Sequence, residues 1–405
     1  MSWDKVRQSA DENVGFIRHE IKHVTANLPK RAAASEGERD ACEYIAEGLK
    51  YGAQDVRTEE FKVAPEAATG WLYVTATLTL LAFVAYFFVS FVSVVLLILA
   101  AVPFAVQGVL CSTAFDGMYK EGVSHNVTAV RKCTGEVRRR VFFTAHADAA
   151  YTMRLSEKIS GRFTAATAVL SVIGFVYLLA ADIARWAYLG SMGAGLAADA
   201  YLVTGLVGLV FVPFWIACFF MFDKKSVADG ANDDLSGCYV AVALLKAMQD
   251  ADLCLEHTEV GVIITGAEES GLRGAKAWCA MHKDDYLDEE TVFVTLDTLR
   301  DAKYLKAGTR DLNGLVATDA ALADAFAEAA GKEGINCGKG GFSFGATDAA
   351  AFAQNGRRAV SVTALAPDMP DYYHTSKDTV DNMDDAVLAD CFKAAARFVE
   401  EFDRQ

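Results

Sequence analysis

From Ala67 to Phe115 the chain runs for 49 residues without one charged side chain. No other feature restricts its folding as much. A hydrocarbon core roughly 30 Å thick is crossed by about 20 helical residues, so this run is too long for one crossing and fits two. The sequence predicts two helices with a tight turn near Ser90 to Ser93, and a kink at Pro103 in the second. A further apolar block extends from Phe163 to Phe222. Within it, Phe163 to Ala181 gives 19 uncharged residues and Ala200 to Phe222 gives 23. Asp182, Arg185, a glycine-containing stretch and Asp199 separate them, which predicts a second hairpin. The composition agrees: 53% of residues are hydrophobic, 25 are Phe, and the mean hydropathy is +0.20, above the range of an ordinary soluble enzyme. Two buried hairpins forming a dimer interface are the alternative, although charge-free runs of this length are rare in soluble cores.

The segments before, between and after these blocks share one α/β pattern. Each block must therefore return the chain to the side it left and cross an even number of times. The expected organisation is residues 1–66 as the first part of the domain, 67–115 as transmembrane hairpin 1, 116–160 as a second domain segment, 161–223 as hairpin 2, and 224–405 as the remainder. Near the helix ends Lys62, Lys120, Lys158, Arg162, Lys224 and Lys225 lie on the domain side, against Arg185 on the far side. Basic residues stay on the cytoplasmic side, so the expectation is an integral membrane protein with four transmembrane helices and a cytoplasmic α/β domain. Paired hairpins also suit a homodimer.

In the domain, Ile17, Ile21, Val24 and Leu28 recur at helical spacing, and Ala41 to Leu49 reads as a second helix. Gln54 to Val63 alternates as a strand. Beyond Asp223, strands at Glu259–Thr265, Thr291–Leu296 and Arg358–Ala364 alternate with helices at Leu235–Met248, Ala320–Ala330 and Asp385–Phe402. Strands alternating with helices imply a mostly parallel central sheet flanked by helices, whose sites collect at the carboxyl ends of the strands.

Some classes fall away. A net charge of −15 argues against a nucleic-acid partner, and Arg138-Arg139-Arg140 reads as flanking a strand. Nine scattered cysteines with no CxxC pair do not form a disulfide framework and suit a reducing compartment. The N-terminus has no apolar core of signal-peptide type. Asn126-Val127-Thr128 is a glycosylation sequon placed inside a strand.

Five segments carry chemistry. Val141 to Ala145 delivers His146 at a strand end, with Asp148 placed to hold its other ring nitrogen. Gly230-Ala231-Asn232-Asp233-Asp234-Leu235-Ser236-Gly237 turns into a helix and offers a carboxylate able to bridge two metals. Gly266-Ala267-Glu268-Glu269-Ser270-Gly271 follows an apolar strand; of its two glutamates one can bind metal while the other handles protons. Asp297 closes a strand and needs a partner there, because a bare buried carboxylate is costly. His374 lies in Asp371-Tyr372-Tyr373-His374-Thr375-Ser376-Lys377-Asp378-Thr379. Each alone has an ordinary reading, as a strand-end histidine, a helix cap, a solvated acidic turn or a surface histidine. Together they are a ligand set for borderline metals such as zinc.

The order His, Asp, Glu-Glu, Asp, His, in the segments HAD, GANDDLSG, GAEESGLRGA, LD and YYHTSKDT, resembles the co-catalytic di-zinc aminopeptidases. That is metallopeptidase family twenty-eight, which also contains glutaminyl cyclases and glutamate carboxypeptidases; this chain would be a membrane-embedded member. The resemblance covers residues 10–66, 120–155 and 224–405 and leaves out both apolar blocks. It implies the zinc-exopeptidase (phosphorylase/hydrolase-like) fold, two Zn2+ ions and a peptide substrate. It would place His146 and Asp297 on one zinc, Glu269 and His374 on the other, and Asp233 between them. Asp148 would support His146, and Glu268 would be the general base. The Asp233–Asp234 peptide is expected to be cis, and Tyr372 or Tyr373 is a candidate for oxyanion stabilisation. The alternatives are single-zinc glutaminyl cyclisation or another amide hydrolysis, and a non-catalytic membrane scaffold on the same fold.

His19-Glu20-Ile21-Lys22-His23 matches HExxH, but no third ligand follows and the helix buries Ile17, Ile21 and Val24 instead. Gly338-Lys339-Gly340-Gly341 lacks phosphate-loop spacing and reads as a flexible loop near the pocket, with Asp348 close by. Phe342, Phe344 and Tyr372 are candidates for the pocket wall.

Overall fold

The computed structural model describes residues 3–189, 200–286, 290–341 and 345–404. These fall into two compact units. One comprises Met1–Pro65, Lys120–Tyr151 and Val227–Gln405; the other comprises Glu66–Tyr119 and Thr152–Ser226.

The first unit is built on a mixed, mostly parallel sheet. Its strands are β1 (Asp55–Val63), β2 (Gly122–Arg131), β3 (Arg139–His146), β4 (Thr258–Thr265), β5 (Glu290–Leu299), β6 (Lys306–Asp311), β7 (Gly338–Gly341) and β8 (Arg358–Ala364). Their order is β1-β2-β4-β3-β5-β8-β6-β7, with the short Val316–Ala317 strand beside β6. The central strands β4, β3, β5 and β8 are mutually parallel. β1 and β2 add an antiparallel edge, while β6 runs antiparallel to β8 and parallel to β7. Every residue of β4 is buried, because helices cover both faces of a parallel sheet and select continuous apolar runs.

Helices at Ala10–Asn27, Glu36–Leu49, Ser236–Asp250, Ala320–Lys332 and Asp385–Asp403 supply the cover. Ile17, Ile21 and Val24 form the buried stripe of the first, as their spacing requires. The second helix begins five residues before the expected start, at a Ser35 cap that accepts the Glu38 N–H. Gly338–Gly341, expected as a loop, is instead an edge strand. Glycine backbone pairs as well as any other but carries no side-chain alternation to announce a strand.

Among its described residues the second unit contains four helical stretches long and apolar enough to cross a membrane: Ala67–Tyr86, Ser90–Val109, Gly161–Ala187 and Tyr201–Phe220. Exposed large apolar side chains gather there, among them Leu81, Val84, Phe88, Phe91, Ile98 and Leu99. A surface of this kind marks an interaction with lipid or protein. Two details differ from expectation. The first hairpin turns at Phe87–Val89, and Ser90 to Ser93 form the opening turn of the next helix. Asp182 and Arg185 do not lie in a connection but inside the Gly161–Leu189 helix. Both are buried and partnered: Ser93 Oγ donates to Asp182 Oδ2 at 2.5 Å, and Arg185 Nη1 donates to the Tyr86 carbonyl at 2.6 Å. Those partners let the helix carry charge past the point where hydropathy alone ends it. At Pro103 the second helix passes into a wider π-type turn, Phe104–Val109, because proline withdraws an intrahelical donor.

Candidate metal centre

The five segments converge at the carboxyl ends of β3, β4, β5 and β8. His146 is the last residue of β3, and the Glu268-Glu269 turn leaves β4. Asp297 lies near the end of β5, opposite Thr363 of β8; the register then slips, so that Ala364 faces Leu299. The extra residue, Thr298, has φ +49°, a left-handed conformation unusual for a β-branched side chain. The bulge directs Asp297 out of the sheet and is pinned by Thr298 N–H on Asp234 Oδ1 at 3.2 Å and Leu299 N–H on Ser236 Oγ at 3.0 Å. Ala267 and His374 also have positive φ, +50° and +53°. Such residues cluster where a surrounding structure holds functional groups in place.

Asp233 is the centre of the arrangement. Its Oδ1 lies 3.2 Å from His146 Nε2 and its Oδ2 lies 3.0 Å from His374 Nε2, so one carboxylate faces both histidines. Two groups of ligand atoms, each within 4.8 Å of one another, share it: His146, Asp233 and Asp297, and Asp233, Glu269 and His374. His146, Glu268 and Glu269 form a third such group. The Asp233–Asp234 peptide is cis. Gly237 follows where a Cβ would come within 2.4 Å of the Leu296 carbonyl oxygen, so the helix start packs against β5 only as glycine.

Asp148 faces the other ring nitrogen of His146, as expected, and does more. His146 Nδ1 lies 3.2 Å from the Asp148 main-chain oxygen and 3.4 Å from its Oδ1. The carboxylate itself accepts the N–H groups of Glu268 at 3.0 Å and Glu269 at 3.1 Å. It therefore ties the histidine loop to the glutamate turn as well as facing the imidazole.

Electrostatics show what the cluster is suited to hold. Burial, with Asp348, Glu269 and Asp297 nearby, pushes the Glu268 carboxyl well above the usual range. Burial and the Asp233 charge raise Asp297 to about 7. Burial also raises Glu269. For Asp233 burial acts upward too, but the two histidines outweigh it and hold the carboxylate well below its ordinary value. Burial pulls His374 down, and Glu269 and Asp233 overcome that to raise it to about 10. Glu269 Oε1 is buried with no hydrogen-bond partner among the described residues, 3.3 Å from His374 Nε2. Converging buried carboxylates with an unsatisfied oxygen need positive charge beyond two imidazoles, and imidazole plus carboxylate is the donor set of a zinc-type cation.

The pH response follows. In chelated protein the Asp297 carboxyl, held up to about 7, keeps a proton that an unfolded aspartate loses near 3.9. Across that window the folded state binds more protons, so stability falls as pH rises. His374, raised to about 10, adds stability that is complete below about 6.5 and lost as pH climbs towards its folded value. Both slopes have the same sign. The apparent melting temperature of chelated protein is expected to fall steadily from roughly pH 5 to roughly pH 9, and zinc is expected to flatten that slope because it displaces these protons. Scanning fluorimetry across that range checks this; a chelated protein whose melting temperature rises with pH contradicts it.

Four supporting residues were not found by sequence reasoning. Asp234 accepts N–H groups from His146, Gly237 and Thr298 at 3.1 to 3.2 Å. Asp378 accepts the Asn232 N–H at 2.8 Å, its side-chain amide at 2.7 Å and the Asp233 N–H at 3.2 Å. Buried Arg31 donates to the carbonyls of Ala147 at 2.7 Å and Gly230 at 3.1 Å, tying the His146 and Asp233 loops together. Glu38, fully buried, reaches the Ala267 N–H at 2.6 Å. The Asp233-Asp234 doublet and Asp378 of YYHTSKDT were visible as signals, whereas Arg31 and Glu38 reach partners more than a hundred residues away in the chain. Asp348 sits beside the cluster, accepts Thr265 Oγ at 2.5 Å, and burial raises its carboxyl to about 6.

The other candidates divide. Tyr372 donates its hydroxyl to Asp301 at 2.8 Å. Tyr373 stacks on His374 with ring centroids 4.0 Å apart, and burial followed by Asp233, Glu269 and Asp297 raises its hydroxyl well above normal. Tyr373, not Tyr372, is thus the tyrosine among the carboxylates. In the HExxH stretch His19 is exposed, Glu20 accepts the Tyr44 hydroxyl at 2.8 Å and His23 stacks on Tyr44, so these groups are spread along a helix surface. Asn126 of the sequon is buried, donating to the Gly274 carbonyl and accepting the Gly266 N–H, which leaves no amide for a glycan. Phe342 and Phe344 lie outside the described residues.

Comparison with known proteins agrees with this architecture. Residues 222–399 match the model of Peptidase family M28. No curated protein sequence matches. The fold is shared with an aminopeptidase from Aneurinibacillus sp. strain AM-1 (TM-score 0.59, 16% identity, covering 99% of this chain and 96% of that one). It is shared also with BSAP, a zinc aminopeptidase from Bacillus subtilis (0.55, 14%, 96% and 95%). A glutaminyl cyclase from Porphyromonas gingivalis is similar as well (0.51, 12%, 99% and 99%). The stretch of the α/β domain that carries Asp233, Glu268, Glu269, Asp297 and His374 is thus similar to Peptidase family M28.

Proposed function

We propose that the chain is a membrane-embedded zinc aminopeptidase that removes N-terminal residues from peptides. The observation that carries the reading is Asp233, whose two oxygens face His146 and His374 separately and so serve two ligand groups. His146, Asp233 and Asp297 would hold one zinc, and Asp233, Glu269 and His374 a second. Bound there, zinc supplies Lewis acidity, easing deprotonation of water and stabilising negative charge on the substrate oxygen. Glu268 takes the proton of the attacking water on its carboxylate and returns it to the departing amine, work suited to a carboxyl whose hold on a proton is strengthened by burial. Tyr373 offers its hydroxyl to the developing oxyanion. Asp148 holds the main chain of both glutamates and keeps Glu268 in reach.

The likeness to a glutaminyl cyclase supports a second reading, in which the substrate's own amine attacks. Metal content separates the two. Two zinc ions per chain, measured by elemental analysis of detergent-purified protein, are expected for the aminopeptidase; one tightly held zinc favours cyclisation. The four apolar helices, 20, 20, 27 and 20 residues long, support two hairpins in a lipid bilayer, since about 20 residues span its core. The basic residues near their ends favour a cytoplasmic domain. Protease added to inverted inner-membrane vesicles is expected to digest the α/β domain; protection there and digestion in spheroplasts reverse the orientation.

A further inference from the structure

Four consecutive backbone N–H groups at the glutamate turn are each held by a side chain from elsewhere. Gly266 donates to Asn126 Oδ1 at 3.2 Å, Ala267 to Glu38 Oε1 at 2.6 Å, and Glu268 and Glu269 to the two oxygens of Asp148 at 3.0 and 3.1 Å. Asp148 stands next to the histidine ligand, but Glu38 belongs to the first turn of the Glu36–Leu49 helix, 229 residues from Ala267.

Glu38 has been diverted from a local task. Ser35-Glu36-Gly37-Glu38 has the spacing of a capping box, in which the glutamate reaches back to the N–H of the capping serine. Half of the box forms, since Ser35 Oγ accepts the Glu38 N–H at 3.2 Å. The returning half does not: the Ser35 N–H goes to the Ala32 carbonyl. The Glu38 carboxylate instead accepts Ala34 N–H at 2.8 Å, Ser124 Oγ at 2.9 Å and Ala267 N–H, and it is fully buried. Burying a carboxylate needs such a complete set of donors, and a helix start alone does not call for one. The packing has no slack, because a Cβ on Gly266 would come within 2.4 Å of Ser124 Oγ and 2.7 Å of Glu38 Oε1. Ala267, directly before Glu268, has φ +50°, a conformation that a non-glycine residue keeps only under outside restraint.

We propose that Glu38 is a positioning residue for the hydrolytic reaction: by holding the left-handed Ala267 turn it aims the Glu268 carboxylate. The proposal rests on the reading of Glu268 as the general base. Small displacements of a catalytic group are enough to matter, about 100-fold in rate for about 1 Å.

The test uses full-length, zinc-loaded protein in detergent, with alanyl-, leucyl- and lysyl-p-nitroanilides as substrates and hydrogen exchange as a second readout. Glu38→Gln keeps the shape but leaves one acceptor oxygen for three donors, Ala34 N–H, Ser124 Oγ and Ala267 N–H, and sets an amide N–H against them. It is expected to lower kcat by about 10- to 100-fold while KM stays within about twofold, with zinc content unchanged. Exchange is expected to quicken in residues 266–272 but not in the Asp385–Asp403 helix. Ser124→Ala, which removes one donor to Glu38, is expected to act the same way more weakly, and Glu36→Gln, on the exposed side of the same turn, to do nothing. A folded Glu38→Gln protein with parental kcat overturns the proposal, as does exchange that quickens evenly through the domain. If Glu38→Gln cannot be recovered folded, Ser124→Ala decides by the same criteria. If the parent hydrolyses none of the anilides, the aminopeptidase reading fails, and localised or uniform exchange alone decides whether Glu38 holds the turn.

Discussion

Glu268→Gln is expected to lower kcat by about 10²- to 10⁴-fold, the range a positioned general base contributes, while zinc content and KM stay near parental values. Glu268 is 7% exposed and 3.9 Å from His146 Nε2. Its carboxyl is raised because burial disfavours charge and because Asp348, Glu269 and Asp297 are negative neighbours. Glutamine matches the shape, and the hydrogen bond that fixes the residue is made by its main chain to Asp148, so the turn survives. Removing one buried acid from a crowded set also relieves repulsion, and the melting temperature is expected to hold or rise. Steady-state kinetics with elemental analysis check this. A variant within tenfold of parental kcat contradicts the role given to Glu268.

Asp233→Asn is expected to be more damaging to the metal centre than to any other property. One carboxylate meets His146 through Oδ1 and His374 through Oδ2; asparagine loses the charge and turns one of those oxygens into a donor. Loss of a supporting group around a metal ligand commonly weakens affinity about 10- to 100-fold, and loss of the shared ligand itself is expected to exceed that, leaving no measurable turnover at stoichiometric zinc. Asp378→Asn, which disturbs Asp233 through its N–H and through the neighbouring Asn232, is expected to fall within the smaller range. Competition against a zinc-binding dye measures both. Equal affinities in Asp233→Asn and the parent contradict the placement of metal on Asp233.

The sequence carried the fold because its signals were local. Val141 to Ala145, Thr291 to Leu296 and Arg358 to Ala364 are apolar β-branched runs, and a strand buried on both faces has little choice but to read that way. Asp385–Asp403 kept helical periodicity to within one residue of its end. The five chemical segments were legible for a related reason, each standing where a run of apolar residues gives way to a turn. What sequence could not convey was reach. Arg31, Glu38 and Asp378 draw their importance from partners 86 to 229 residues away, more than an order of magnitude beyond helical or strand spacing. The bulge at Thr298 and the left-handed Ala267 were equally invisible, since neither residue is one that favours positive φ. Asp182 and Arg185 misled for the opposite reason. Their charges suggested a loop, but Ser93 and the Tyr86 carbonyl supply partners inside the helical unit.

The most direct measurement is mass spectrometry of a mixed peptide library incubated with zinc-loaded, detergent-purified protein, beside the Glu268→Gln variant. The account predicts stepwise loss of N-terminal residues with the parent and intact peptides with the variant. Loss of ammonia from peptides beginning with glutamine, with no residues removed, or intact peptides in both samples despite bound zinc, would contradict it.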